Sequence, residues 1–194
     1  MHKIVPSDAI VIPENATCVF RGEIFDVYQW QQELYDGSFE TFEMLKRPDT
    51  TQVIAIVDDQ IIVLEDEQPN RGKKITLPGG RVDPEDVSIE DGARRELKEE
   101  TGYQIENFKL IDVKQPIGKA EWFIYTYIAW GKYTKSGIKL DAGEKIAPSF
   151  NSLQEVVELG SKQASSFKDQ LKLISDFSEI SELLTIPECN GIEL

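Results

Sequence analysis

Residues 79–103 read GGRVDPEDVSIEDGARRELKEETGY, a glycine pair, a polar loop and a helical pattern in one unit. Ser88 suits an N-cap, and Asp91 three residues on is a weaker form of the capping-box acid. From there the spacing predicts a helix to about Thr101, with Gly102 at the C′ position. Spacings of three and four residues put Glu96, Glu99 and Glu100 on one face. Like charges so placed destabilise a bare helix by about a few tenths of a kcal/mol per pair. A divalent cation reverses that sign. Hard Mg²⁺ or Mn²⁺ prefers oxygen ligands, and Mg²⁺ commonly takes one or two carboxylates plus phosphate oxygens and water. Glycine has no Cβ, so Gly79 and Gly80 let backbone approach that face. A glutamate triplet alone also describes a solvated helix face; its combination with the glycine turn is more specific.

The second half of the stretch, Arg95, Glu96, Leu97, Glu99, Glu100, Gly102 and Tyr103, closely resembles the Nudix box, G-x5-E-x7-R-E-U-x-E-E-x-G-U, where U is a bulky apolar residue. Gly80 matches its first glycine. The early box Glu falls on Asp86 counting forward from Gly80 and on Val87 counting back from Arg95, so one residue is read as inserted within 81–86. The resemblance implies that this Glu pairs with the box Arg; Asp86 or Glu85 stands in for it, or the pair is missing. It also implies an α/β fold, a Nudix-type α/β/α sandwich around a mixed sheet. Glu96 and Glu100 become the principal Mg²⁺ ligands (Mn²⁺ as the alternative), Glu99 an auxiliary ligand or base, and the Gly79 carbonyl a further candidate ligand. Arg95 becomes an orienting residue rather than a substrate contact. The implied reaction is metal-assisted attack of water on a phosphorus of a nucleoside diphosphate linked to another group, with a glutamate removing the proton.

Outward from this unit, 24–35 and 39–45 are rich in aromatic and β-branched residues, and Asp36 and Gly37 between them are a strong hairpin signal. Residues 53–57 and 61–64 are near-continuous apolar runs around Asp58 and Asp59, which predicts buried strands joined by a tight turn. The Gly- and Pro-rich stretch 66–87 reads as loop. Residues 108–113 and 122–130 are strand-like; 152–159 and 167–184 have helical spacing. The order strands, helix, strands, helices fits a mixed α/β domain. The expected division is an N-terminal β-hairpin module over 1–48 and a hydrolase domain over 49–194.

The chain has 194 residues, with 35 acidic and 21 basic side chains and a formal net charge of −14. That acidity argues against a nucleic-acid partner, whose recognition runs on Lys and Arg. Two cysteines, Cys18 and Cys189, make no disulfide framework. No apolar run approaches the ~20 residues of a membrane span. These features fit a soluble, cytoplasmic protein with no membrane partner. His2 is the sole histidine, so histidine-based catalysis is excluded.

The hairpin module ahead of the core strands resembles the ADP-ribose and nucleotide-sugar pyrophosphatase branch. That resemblance implies a homodimer built through the N-terminal strands, whose interface contributes to the substrate site. It also places a mobile loop with a catalytic glutamate near 140–146, where Glu144 is the candidate. Tyr28 and Trp30 share a strand face by period two and are candidates to stack on a nucleobase, with core or dimer packing the favoured alternative. Arg47, Arg71 and Arg81 are candidates for phosphate contact, since a guanidinium suits bidentate binding. Trp122 reads as strand packing. The expected activity is Mg²⁺-dependent cleavage of a nucleoside diphosphate-sugar, ADP-ribose foremost, giving a nucleoside monophosphate and a sugar phosphate. The rivals are another linked or damaged nucleotide (GDP-mannose or NADH among them), and a non-catalytic Nudix-fold nucleotide-binding regulator.

Overall fold

The computed structural model describes residues 3–69, 72–140, 143 and 145–161. The helical pattern at 167–184 lies outside them. Strands β1 (Thr17–Arg21), β2 (Asp26–Glu33) and β3 (Phe39–Lys46) form an antiparallel ribbon. Strands β4 (Thr50–Val57), β5 (Gln60–Gln68) and β6 (Gly72–Thr76) follow, then α1 (Ile89–Thr101) and β7 (Tyr103–Lys114). The short β8 (Ala120–Glu121), β9 (Ile124–Lys135), β10 (Lys145–Asn151) and α2 (Leu153–Ser161) complete the described elements.

The main sheet runs β10-β5-β4-β9-β7, with β6 on β5. β4 and β9 are parallel and the other neighbours antiparallel, so the sheet is mixed. Period two sorts β4 between two cores. Val53, Ala55 and Val57 face α1 with Leu97 and Ala93; Ile54 and Ile56 face the opposite side with Val156 and Leu153 of α2. One helix therefore covers each face, and the expected α/β/α sandwich is present. The β4–β5 turn is a two-residue hairpin with Asp58 at φ 50° and Asp59 at φ 60°, the positive-φ pair that matches strand twist.

Two expectations change. The stretch 66–87 is not all loop, because β5 runs on to Gln68 and β6 pairs back along it. Few apolar residues mark β6; opposite charges across the ladder do, Asp66 facing Lys74 and Glu67 facing Lys73. The expected loop at 140–146 likewise ends in β10, where Lys145 and Ile146 pair with Glu67 and Asp66.

The ribbon joins the sandwich through a parallel pairing of Leu45 and Lys46 with Ala120 and Glu121. The chain ahead of β1 also crosses the boundary expected at 48/49. Lys3 Nζ lies 2.9 Å from Asp49 Oδ2, the Tyr125 hydroxyl donates to the Ile4 carbonyl, and Ile12 N donates to Glu121 Oε2.

Candidate active site

The glycine turn is held as a substitute strand. Where β5 leaves β4, Thr51 N donates to Gly80 O and Val53 N to Pro78 O, both at 2.8 Å, and Val82 N donates to Asp49 O at 2.9 Å. This lays 78–82 along the edge of β4, beneath α1. Gly79 sits at φ +141°, and a Cβ there would overlap the Thr51 carbonyl. A Cβ on Gly80 would lie 2.6 Å from the Glu96 carboxyl carbon. The two glycines are thus fixed by different neighbours, one by the strand below and one by the carboxylate above.

Helix α1 begins at Ser88, whose Oγ accepts from Asp91 N at 3.1 Å and donates to Asp91 Oδ2 at 2.8 Å. It ends at Gly102 in the left-handed conformation, φ 79°. Ile89, Ala93 and Leu97 anchor its apolar side in the core. Arg94, which sequence reasoning passed over, pins α1 to β7: its guanidinium donates to the carbonyls of Ile105 and Glu106 and covers the Phe108 ring.

Arg95 organises the polar side. Nε and Nη2 each donate to Asp86 at 3.0 Å, and Nη2 also reaches the Arg81 carbonyl at 2.9 Å. Nη1 bridges Glu96 Oε1 at 2.9 Å and Glu99 Oε2 at 3.0 Å. The guanidinium is held above its ordinary pKa, chiefly by Asp86, and Asp86 is held below its own by the same hydrogen bonds. Asp86, rather than Glu85, stands opposite the arginine. The spacing from Gly80 to Asp86 is therefore regular, and the extra residue lies after Asp86, within 87–94, not within 81–86.

Glu100 is nearly buried, 8% exposed, and its Oε2 accepts from Gly79 N at 2.7 Å. A cavity of about 340 Å³ opens over this turn, lined by Glu96, Glu100, Gly79, Gly80, Arg81, Asp83 and Arg95 together with Ile24, Arg47 and Pro48. Glu99 does not line it. Glu99 borders a separate cavity with Arg95, Lys98, Gly137 and Lys139. The expected shared face is therefore divided, because Arg95 Nη1 sits between Glu96 and Glu99 and directs their carboxylates to different flanks.

Among the described residues, no three His, Cys, Asp or Glu side chains are grouped so as to hold a metal by themselves. The donor set still fits a hard dication. Three carboxylates, Glu96, Glu100 and the Arg81-paired Asp83, share one cavity with a glycine turn, and such a cation keeps water and phosphate oxygens as its remaining ligands.

Arg47 and Arg81 both line this cavity; Arg81 Nε is also bonded to Asp83 Oδ1 at 2.8 Å. Tyr28 and Trp30 do not line it: Tyr28 lies beneath Lys46, and Trp30 packs on Phe42 and borders a groove on the ribbon. Period two correctly put both on one face but could not say which cavity that face meets. Arg71 and Glu144 lie outside the described residues. Ile24, Pro48, Phe25 and Trp122 were not expected near the site; they reach it through the β3–β8 pairing, which carries no local signal.

The model of the NUDIX domain matches residues 46–172. A methanol dehydrogenase activator from Bacillus methanolicus is 31% identical over 117 residues, 58% of this chain and 62% of that protein. An ADP-ribose pyrophosphatase from Bacillus subtilis (strain 168) is 28% identical over 114 residues, 57% of this chain and 61% of that protein. The chain thus spans about three fifths of the length of these curated relatives. A crystal structure of an ADP compounds hydrolase superposes with a TM-score of 0.69 at 20% identity, covering 84% of this chain and 91% of that one, a likeness of fold. No described helix is long and apolar enough to cross a membrane. The matched stretch holds the glycine turn, Asp86, the Arg95 clamp and the α1 glutamates, and so the chain belongs to the NUDIX domain family.

Proposed function

We propose that this chain is a divalent-metal-dependent hydrolase of nucleoside diphosphate-sugars, with ADP-ribose as its leading substrate and AMP and ribose 5-phosphate as products. The observation that carries this reading is the cavity lined by Glu96 and Glu100 together with Arg47 and Arg81 over the glycine turn. Carboxylates suited to a dication and guanidiniums suited to phosphate oxygens meet on one small volume. Mg²⁺, or Mn²⁺, would be held by Glu96, Glu100 and the Gly79 carbonyl, and when bound it neutralises phosphate charge and acidifies water. Arg47 and Arg81 grip the diphosphate and fix its orientation. Glu99 or Glu144 accepts the proton of the attacking water. Arg95 aims the carboxylates of Glu96 and Glu99. The relative named ADP-ribose pyrophosphatase supports the choice of substrate.

A homodimer through residues 1–48 belongs to the same proposal. Val19, Phe20 and Phe39 of the ribbon are exposed apolar side chains. Trp30 does not line its own chain's cavity, and in such a dimer it would be offered to the other copy's substrate.

A second reading, a regulator that binds nucleotide without turning it over, is favoured by the relative named methanol dehydrogenase activator. One experiment separates the two. Purified protein is offered ADP-ribose, GDP-mannose and NADH with and without Mg²⁺, and phosphate is read after adding a phosphatase. Release from ADP-ribose that depends on Mg²⁺ is the expected result. No release from any nucleotide, with binding retained, supports the regulator.

A further inference from the structure

Asp49, just ahead of β4, ties together segments that are remote in sequence. Its carbonyl accepts from Val82 N at 2.9 Å, at the far end of the glycine turn. Its Oδ1 accepts from Phe123 N at 2.8 Å, just ahead of β9. Its Oδ2 pairs with Lys3 Nζ at 2.9 Å, and that ammonium lies 4.4 Å from the centroid of the Phe123 ring. The carboxylate is only 9% exposed. Burying a carboxylate is costly unless it is hydrogen-bonded and paired, and here both of its oxygens are engaged. Lys3 arrives on a segment that is itself tied down. The Tyr125 hydroxyl donates to Ile4 O, and the Gln115 side-chain amide bonds Ile10 N and Ile10 O at 2.8 and 2.7 Å.

We infer that Asp49 is a positioning residue for the glycine turn and that Lys3 acts through it, an inference that rests on the reading of the cavity over this turn as a metal and diphosphate site. Three rungs lay 78–82 along β4. Those to Pro78 and Gly80 come from amides within the strand, Val53 and Thr51. The rung to Val82 comes from Asp49, which precedes the strand. The side-chain ties to Phe123 and Lys3, rather than the β4 ladder, therefore set where that carbonyl points. Within the span these rungs hold, Gly79 N donates to Glu100 Oε2 at 2.7 Å, and Gly80 lies so close to the Glu96 carboxylate that a Cβ has no room. A turn that slackens at Val82 shifts against both glutamates, and a misplacement of about 1 Å in a site can cost about a hundredfold in rate. Asparagine at 49 keeps an acceptor for Phe123 N but loses the attraction to Lys3, so the charge is what this position selects.

The test compares Asp49→Asn, Lys3→Ala and Lys3→Arg with wild type. Amide hydrogen exchange is read at Gly79 and Val82 and, for reference, along β5 and β10. Mn²⁺ binding without nucleotide is read by electron paramagnetic resonance, and kcat and KM are measured for ADP-ribose with Mg²⁺. Asp49→Asn is expected to speed exchange at Gly79 and Val82 by about tenfold and leave β5 and β10 unchanged. It is expected to weaken Mn²⁺ binding about fivefold and lower kcat about tenfold, with KM within about threefold of wild type. Lys3→Ala is expected to show the same pattern at about threefold, and Lys3→Arg, which keeps the charge, to match wild type. Adding Lys3→Ala to Asp49→Asn is expected to cost nothing further, since the lysine acts through the carboxylate. Should Asp49→Asn fold poorly by circular dichroism, the Lys3 pair carries the comparison. Unchanged exchange at Gly79 and Val82, faster exchange spread evenly over the sheet, or independent losses from positions 3 and 49 would each overturn the inference. Loosening confined to the turn, with no nucleotide turned over by wild type, would remove the hydrolase reading and leave the anchor. Normal turnover and Mn²⁺ binding in Asp49→Asn would remove the anchor and leave the hydrolase.

Discussion

Asp86 is a short carboxylate opposite a long guanidinium, 7% exposed and bonded to two nitrogens of Arg95. Its pKa is lowered, first by those hydrogen bonds. A carboxylate whose pKa falls on folding stabilises the native state above its unfolded-chain value, about 4, and that contribution is lost as pH falls through the folded-state value. Asp86→Asn should therefore cost about 1.5–3 kcal/mol at neutral pH. The gap to wild type should narrow as pH drops below about 4. Urea unfolding at pH 7 and in acid measures both, and a gap that does not change with pH would contradict the ion-pair origin. Glu100 carries a different expectation, because its Oε2 accepts from a backbone N–H and its proposed partner in function is a cation. Glu100→Gln should keep the fold yet lower kcat by about three orders of magnitude, the kinetic equivalent of several kcal/mol of transition-state stabilisation. Near-normal turnover in that variant would displace Glu100 from the site.

Helix α1 couples the core to the site: Leu97 is buried between Glu96 and the Lys98–Glu99–Glu100 turn. Leu97→Ala should destabilise the protein by about 2–5 kcal/mol, as loss of a fully buried side chain does. Ser88→Ala, which removes the cap but leaves the core intact, should cost about 1 kcal/mol. Thermal unfolding ranks the two, and equal effects would mean that the helix is not anchored through its apolar stripe. This helix was legible in the sequence because cap, apolar spacing and terminal glycine agree over thirteen residues. So were β4 and β5, whose apolar runs flank a turn. β6 was not, because an edge strand stabilised by Lys73 and Lys74 against acids has no apolar period to read. At the candidate site, the sequence pointed to Glu96, Glu100 and the glycine pair, which share one cavity, but not to the separation of Glu99 from them. The partner of Arg95 was ambiguous between neighbours until distance settled it on Asp86, and the opposite wall, Ile24 with Arg47 and Pro48, depends on strand pairing across about 75 residues of sequence.

The ribbon leaves large apolar side chains on the outside of the molecule, with Phe20 59% and Phe39 62% exposed. The proposed dimer would cover such side chains. Under the proposed assembly, light scattering at micromolar concentration should give twice the 22.0 kDa chain mass. A mass of one chain there would exclude a dimer, and would leave Trp30 as ribbon packing.

The cavity over the glycine turn has two walls of separate origin, one from α1 and its loop, the other from the ribbon and its joint with β4. Under the proposed function, substitutions among the ribbon residues of the second wall would reshape the mouth for a different leaving group while leaving Glu96 and Glu100 of α1 unchanged in the sequence.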